Sequence, residues 1–593
     1  MSIRGAKRQK TIAVSSQNET WKFWVFVILV FVMFFIIIIR LFYVQIIAHD
    51  DYKAKADNKH QAQVELIGDR GNIYFQNLKS GTNFPVAINR ITYNIGFDAN
   101  IIGQNQSNKV QIKEFIEQNF PDIDKLKLEE ELNNTSKKYY IFAKDVSENI
   151  VEPLKKKKLK GIILEKKSVR TYPENALGAH ILGFFSEYKQ EGQYGVEEYY
   201  NEKLKGQTGF AKVEAKDRRG VWLVNTKIEK TDAINGSNLI LTIDHTIQFK
   251  LEEILAELSA EYKPKIALGA IMDPRTGDIL AMAGNPTFDI NEYNKVADIS
   301  VFKNPFIESL YEQGSVFKPI TVGIGLNSGI ITPNTTYEDK GTETINGFDI
   351  SNWSKKVYGT QTISYALENS LNLGMMFIQR KLGREAFVSG ILDQFQIGNK
   401  TRVDLPNEAA SNTSNLTKQA RDLREVNFAN ASYGQGISMA PIRLLTSFNS
   451  IINEGKIMKP RIIKSIQGPD GELQNIEPEV QGQSMSAESA RELSKMLVDV
   501  VENSSSRQVM VDGYSIGGKT GTGQIAGVGG FKEEGGPTYQ SFIQFATLDN
   551  PKYTLLISLD TPQGSRFADT SVVPKIKSLN EFLLNYLSIP PDK

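Results

Sequence analysis

Residues Phe23 to Ile39 carry no charge and almost no polar group. At ~1.5 Å of rise per residue the run makes about 26 Å of helix, and Leu41 to Ile47 extends it past a hydrocarbon core of roughly 30 Å. A chain with this run near its start is expected to be anchored, with the rest folding in water on one side of a membrane. Arg4, Lys7, Arg8, Lys10 and Lys22 precede the run, and Asp50 and Asp51 follow it. That bias predicts a cytoplasmic tail over residues 1–22, an anchor over 23–47 and an external body after about residue 48. Arg40 interrupts the apolar stretch. Its stem can carry the guanidinium to the far interface, or the charge can meet a partner's transmembrane helix. A cleaved leader is disfavoured, because the run is long and no small-x-small site follows closely.

The body is large enough for several domains, since the chain has 593 residues. Its 69 basic and 68 acidic residues leave a net charge of +1, which argues against nucleic acid as the main partner. Cysteine is absent, so thiol catalysis, disulfides and thiolate zinc sites are excluded. The four histidines share no metal-type spacing. No metal and no cofactor is expected.

Between the anchor and residue 235 the pattern is mixed and polar. GDRGNIYF (Gly68 to Phe75) reads as strand-like around Arg70–Gly71, and Val110 to Lys157 reads as helical and highly charged. Lys155 to Lys158 suits a solvated helix face. No paired carboxylates, metal cluster or phosphate loop has a usable spacing here. The region, residues 48–235, reads on its chemistry as a scaffold or spacer.

From residue 236 to 593 the pattern changes. Asn238 to Leu258 reads as a strand followed by an amphipathic helix. IALGAIMD and DILAMAG flank a turn at Pro274 to Gly277, a hairpin signal. A second hairpin is predicted from Ser541 to Thr547 and Tyr553 to Leu559, turning at Asp549 to Pro551, with a last helix over Pro574 to Leu587. The expected fold class is α/β, one layered domain whose first and last strands share a sheet.

The chemistry concentrates in YEQGSVFKPIT, Tyr311 to Thr321. On a helix, Ser315 and Lys318 share one face. Serine is a weak nucleophile near neutrality, and an amine one turn away is one way to activate it. At a helix N-terminus, free N–H groups would also favour developing negative charge. Ser370 and Asn372, in SLN, offer a second hydroxyl and a carboxamide at a loop-like spacing. GGKTGTGQ, Gly517 to Gln524, sets Lys519, Thr520 and Thr522 among glycines, including Gly521. Small residues on a sheet edge let another backbone lie alongside. Gly513 to Thr520 also satisfies the phosphate-loop pattern, but a helix must begin at its Lys-Thr, and the glycines that follow oppose one. Glu408 and Asn412 form Glu-x-x-x-Asn, a spacing that resembles a hydrolase's deacylation loop, but Glu408 sits in DLPNEAA, which reads as a structural turn.

Taken in order, Ser-x-x-Lys at 315–318, Ser-x-Asn at 370–372 and Lys-Thr-Gly at 519–521 resemble the three motifs of penicillin-binding proteins and serine β-lactamases. YEQGSVFKPIT, ALENSLNLG, YGQGISMAPIRL, IGGKTGTGQ, LTIDHTIQ and MDPRTGDILAMAGNPTFD look like the class B, monofunctional transpeptidase branch. The anchor, Arg70–Gly71 and GVEEYYNEKLKG resemble that branch's pedestal. The resemblance implies an anchor helix, an extended mixed α/β pedestal and a β-lactamase-like domain with a mainly antiparallel sheet flanked by helices. It implies Ser315 as the acylated nucleophile and Lys318 as its base, kept neutral by burial and Lys519. Ser370 would relay a proton, Asn372 would hold a substrate amide, and Thr520 and Thr522 would bind the terminal carboxylate. The N–H groups of Ser315 and Thr522 would form the oxyanion hole. The implied reaction is D,D-transpeptidation of peptidoglycan stem peptides, with β-lactams acylating the same serine. A carboxypeptidase or β-lactamase-like hydrolase, or an inactive penicillin-binding scaffold, is the alternative. Implied partners are a polytopic membrane glycan polymerase and other elongation or division proteins.

Overall fold

The computed structural model describes residues 20–49, 61–66, 68–104, 106–136, 139–214, 230–417, 424–525 and 536–593. Contacts divide the chain into two units, Met1–Ile67 with Thr208–Ala233, and Gly68–Gln207 with Ile234–Lys593. In the first, an α-helix over Thr20–Phe42 runs into a π-helical turn, Tyr43–Ile47. Among the described residues, one helical stretch, Phe23–Ile47, is long and apolar enough to cross a membrane. The tail residues Arg4, Lys7, Arg8 and Lys10, and Asp50 and Asp51, lie outside the described residues. The same unit holds a three-stranded sheet, in which Gly209–Glu214 pairs with Gln61–Leu66 and Lys230–Thr231.

The second unit contains both a pedestal and a larger α/β body. The pedestal is built on a 15-residue strand, Asn83–Phe97. It pairs with Ile73–Gln76, Tyr140–Ser147 and Ile162–Thr171. Apolar residues of this strand, Ile95 and Phe97, meet Phe115, Ile116, Leu128, Leu132, Val151 and Leu154 in a separate small core. The charged stretch read as helical is helical at Gln106–Asn119, Lys125–Asn133 and Glu148–Lys157, but a strand, Tyr140–Ser147, interrupts it. Pairing with the long strand decides that segment, not its own propensity. Lys155 is partly exposed and pairs with Glu148 and Glu152 on its own helix, as a solvated face requires.

Arg70 is fastened deep in this pedestal. Its Nε donates to Glu197 Oε2 at 2.7 Å, and Arg170 Nε donates to Glu197 Oε1 at 2.8 Å. Burial alone would raise the Glu197 carboxyl; the guanidinium groups of Arg170 and Arg70 overcome it and hold the group below its usual range. Removing either arginine would leave a buried charge under-compensated.

The larger body is organised by a five-stranded antiparallel sheet of β1 (Ile266–Met272), β2 (Ile279–Asn285), β3 (Ile516–Gln524), β4 (Thr538–Ala546) and β5 (Tyr553–Asp560). Its order is β2-β1-β5-β4-β3. Both expected hairpins form, and β1 pairs with β5, so strands from the two ends of the region share the sheet. On one face, Ala267, Ile271, Leu555, Ile557 and Leu559 pack against α1 (His245–Tyr262) and the last helix, Val573–Tyr586. On the other, Leu268, Ala270, Met272 and Leu556 join the core that contains α2 (Lys318–Asn327). With both faces covered, β1 and β5 read as near-continuous apolar runs. Asp244 caps α1 by accepting the N–H groups of Thr246 and Ile247, both at 2.9 Å.

The first strand of the region, Asn238–Asp244, lies outside this sheet, so the expectation that the region's first and last strands share a sheet fails; it is the second strand, β1, that pairs with the last. Asn238–Asp244 runs parallel to Ile73–Gln76 and antiparallel to Ile463–Gln467, so the pedestal sheet also takes strands from the region after residue 236.

Candidate active site

Every residue of α2 from Lys318 to Leu326 is buried. A helix apolar nearly all round belongs in a core, and this one carries Lys318 inside with it. Ser315 stands just before it, half-buried, in a 3-10 turn, Gly314–Phe317. The Lys318 N–H donates to the Ser315 carbonyl, so the α-helix opens at the lysine and not at the serine. Pro319 falls in the first turn, where its missing N–H costs nothing. The turn is pinned from behind. Gly314 donates to the Gly434 carbonyl at 3.0 Å, and Gln313 Nε2 to the Met439 carbonyl at 3.0 Å.

The edge strand β3 lies against this turn. A Cβ at Gly521 would sit 2.9 Å from Val316 Cγ1 and 3.0 Å from the Gln313 carbonyl oxygen. Only a residue without a side chain permits that approach. Strand alternation puts Lys519 on the same face as Gly521, and Thr520 and Thr522 on the other. The Thr522 hydroxyl accepts from the Ala568 N–H at 3.4 Å. The phosphate-loop pattern is overturned by the same observation: Lys519 and Thr520 lie inside a β-strand, where no helix begins to receive a phosphate.

The SLN motif closes the third side. α3 (Ile363–Glu368) ends just before it, and α4 (Asn372–Leu382) begins at Asn372, so the asparagine is helical where a loop was expected. Ser370 adopts φ +55°, a left-handed conformation that strains a residue with a Cβ. In that pose its hydroxyl accepts from Lys318 Nζ at 3.1 Å, and its carbonyl oxygen accepts from the same nitrogen. Asn372 donates through Nδ2 to the Ser351 carbonyl at 2.8 Å, and its N–H donates to Asn352 Oδ1 at 2.8 Å.

The electrostatics follow from this enclosure. Burial, and after it the positive charge of Lys519, push the Lys318 amine well below the ordinary lysine value. Burial pushes Lys519 down to about 8, against the opposing attraction of Asp569. An amine that sheds its proton this readily can serve as a base. Glu408 contributes nothing to this centre. It accepts the backbone N–H of Arg402 at 2.9 Å and that of Thr401, and fastens its own turn.

The sequence motifs thus converge: Lys318 binds Ser370 directly, Lys519 stands close enough to depress Lys318, and Gly521 touches the turn that carries Ser315. Asn352, Asp339 and Asp569 were not legible beforehand. No spacing relates them to the motifs: Asp339 ends the strand Thr336–Asp339, Asn352 follows the strand Phe348–Ser351, and Asp569 lies in a 3-10 turn, Ala568–Thr570. The structure thus sets a buried amine, held by Ser370, beside the turn that carries Ser315 and an edge strand of a helix-flanked antiparallel sheet.

Comparison with known proteins gives the lineage. Residues 268–579 match the Penicillin binding protein transpeptidase domain, and residues 66–241 match the Penicillin-binding Protein dimerisation domain. Stage V sporulation protein D of Bacillus subtilis is 30% identical over 453 residues, covering 76% of this chain and 69% of that protein. The Peptidoglycan D,D-transpeptidase FtsI homolog of Mesostigma viride is 28% identical and covers 95% of this chain and 96% of its own length. The crystal structure of Penicillin Binding Protein 2X from Streptococcus thermophilus superposes with a TM-score of 0.76 at 22% identity, covering 89% of this chain and 81% of that one. The chain belongs to the class B penicillin-binding protein transpeptidases.

Proposed function

We propose that Ser315 is the residue acylated in a peptidoglycan D,D-transpeptidase reaction, with Lys318 as its base. Family membership makes the chain a serine-type D,D-transpeptidase of cell-wall peptidoglycan synthesis and a β-lactam target. In the reading offered here, neutral Lys318 takes the Ser315 proton as Oγ attacks the carbonyl carbon of the penultimate D-alanine. The N–H groups of Ser315 and Thr522 receive the developing oxyanion, a contribution on the order of several kcal/mol in such sites. Ser370 passes the proton from Lys318 to the departing amine, and the terminal D-alanine leaves. A neighbouring strand's amine then attacks the acyl-enzyme, forms the cross-link and returns the proton to Ser315.

Asn372 Nδ2 is engaged by the Ser351 carbonyl, which leaves Oδ1 to receive a substrate N–H. Thr520 and Thr522 bind the terminal carboxylate, Gly521 lets the strand approach, and Lys519 keeps Lys318 unprotonated. One observation carries the reading: the buried Lys318 amine donates to the Ser370 hydroxyl, with Lys519 near enough to lower its pKa. The test is mass spectrometry after penicillin treatment. An adduct is expected on the peptide containing Ser315 and none in Ser315→Ala; an adduct that survives the substitution refutes the assignment.

The proposed organisation is a cytoplasmic tail (1–22), an anchor (23–47), an extracytoplasmic pedestal (48–235) and a transpeptidase domain (236–593). A polytopic membrane glycan polymerase and other elongation or division proteins are the proposed partners, through the anchor and pedestal. A pull-down in which deletion of both segments retains the polymerase would count against that arrangement.

A further inference from the structure

We propose that Asn352, oriented by Asp339, is the positioning residue that holds the Ser370-Leu371-Asn372 segment against Lys318. The proposal rests on the reading of Ser315 as the acylated serine and extends it to two residues outside the three motifs.

The first turn of any α-helix leaves N–H groups without partners. In α4 the residue before the helix is Leu371, which has no side-chain acceptor to offer. Asn352 supplies one from a different loop. Its Oδ1 accepts the N–H of Asn372 at 2.8 Å and that of Leu373 at 3.3 Å. A carboxamide presents its oxygen reliably only when its NH2 is committed elsewhere. Asp339 makes that commitment, for Asn352 Nδ2 lies 2.9 Å from each of its carboxylate oxygens. Asp339 is fully buried and is itself held by the Tyr337 hydroxyl and the Gly341 N–H, both at 2.9 Å. The Asn352 backbone N–H donates to the Gly341 carbonyl at 3.0 Å. Reversal of the amide would set NH2 against two N–H groups and oxygen against a carboxylate, so its orientation is determined.

The consequence reaches the reacting groups in two steps. Ser351 and Asn352 together fix Asn372, one through its side chain and the other through its N–H. Ser370, two residues earlier, holds Lys318 Nζ through both its hydroxyl and its carbonyl, from a strained backbone conformation that needs external support. If the Asn352 cap slips, Ser370 is free to relax and Lys318 loses its orientation. Asn352 acts only through these neighbours.

The test exchanges the two polar groups. In Asn352→Asp two carboxylates face each other in a buried site. In Asp339→Asn two carboxamides face each other and the cap is no longer oriented. The double variant Asp339→Asn/Asn352→Asp restores one carboxylate and one carboxamide, with a carboxylate now capping α4. The assay is the second-order rate of acylation by a fluorescent penicillin, measured on the full-length protein in detergent. The temperature is set below the melting transition of every variant. Asn352→Asp is expected to slow acylation about ten- to a hundredfold, the scale of a small displacement of catalytic groups. The double variant should return to within about fivefold of the wild type. A normal rate in Asn352→Asp overturns the proposal. So does a double variant as slow as Asn352→Asp, which would mean that the pairing of the two groups is not what matters. A wild type that gives no Ser315 adduct overturns the underlying reading instead, so the two failures are distinguishable.

Discussion

Lys519 should make the protein less stable than a neutral residue of the same size would. Its amine is buried and its pKa is pushed from 10.5 down to about 8. Between those values the unfolded chain binds a proton that the folded chain does not, so stability rises with pH across that window. The deficit is complete below about pH 8. At ~1.36 kcal/mol per pH unit it amounts to about 3 kcal/mol. Lys519→Met keeps the length and removes the charge. Asp569 then loses a favourable neighbour, but it is partly exposed and water can serve it. The expected gain at pH 7 is about 2–3 kcal/mol. For a domain of roughly 350 residues, with an unfolding entropy near 2.1 cal/mol/K per residue, that is about 3–4 °C in Tm. Calorimetry of the wild type and Lys519→Met at pH 7 and pH 10 would test it. The gain should shrink towards zero at the higher pH, while penicillin acylation is lost at both. A variant no more stable than the wild type at pH 7, or a gain that does not fall with pH, would refute the account of Lys519 as a buried, strained charge.

Other outcomes follow from the same geometry. Ser370→Gly relieves a left-handed residue, so stability should rise by about 0.5 kcal/mol after glycine's own entropic cost, while acylation by fluorescent penicillin slows. Gly521→Ala drives a methyl to 2.9 Å from Val316 Cγ1; melting should report a loss of ~1–3 kcal/mol, and acylation should fall as β3 parts from the Ser315 turn. Glu408→Gln replaces the carboxylate that receives the Thr401 and Arg402 N–H groups. Stability should drop by about 1–3 kcal/mol with the lifetime of the acyl-enzyme unchanged; an acyl-enzyme that becomes longer-lived in this variant would restore the hydrolase reading.

Much of the architecture was legible because its signals are local. The anchor is an apolar run in which Arg40 is the one charge. The hairpins β1–β2 and β4–β5 announce themselves by turn residues between apolar strands. The strand Tyr140–Ser147 was hidden, because its neighbours are strongly charged helices and its partner lies some fifty residues away. The pairing of Asn238–Asp244 with Ile73–Gln76 was hidden for the same reason: a parallel ladder leaves no trace in local periodicity.

The candidate site divides along a similar line. A hydroxyl and an amine three residues apart, a second serine and a glycine-rich Lys-Thr segment are written in the chain, and their order sufficed to suggest the chemistry. Their powers are not written there. The Lys318 amine is pushed towards its neutral form because α2 is buried on all sides and Lys519 arrives from a strand two hundred residues later. Ser370 reaches that amine because Asn352 caps a helix that cannot cap itself. Residue types and turns are set by neighbours along the chain, whereas desolvation, charge proximity and the direction of a hydrogen bond depend on groups that meet after folding.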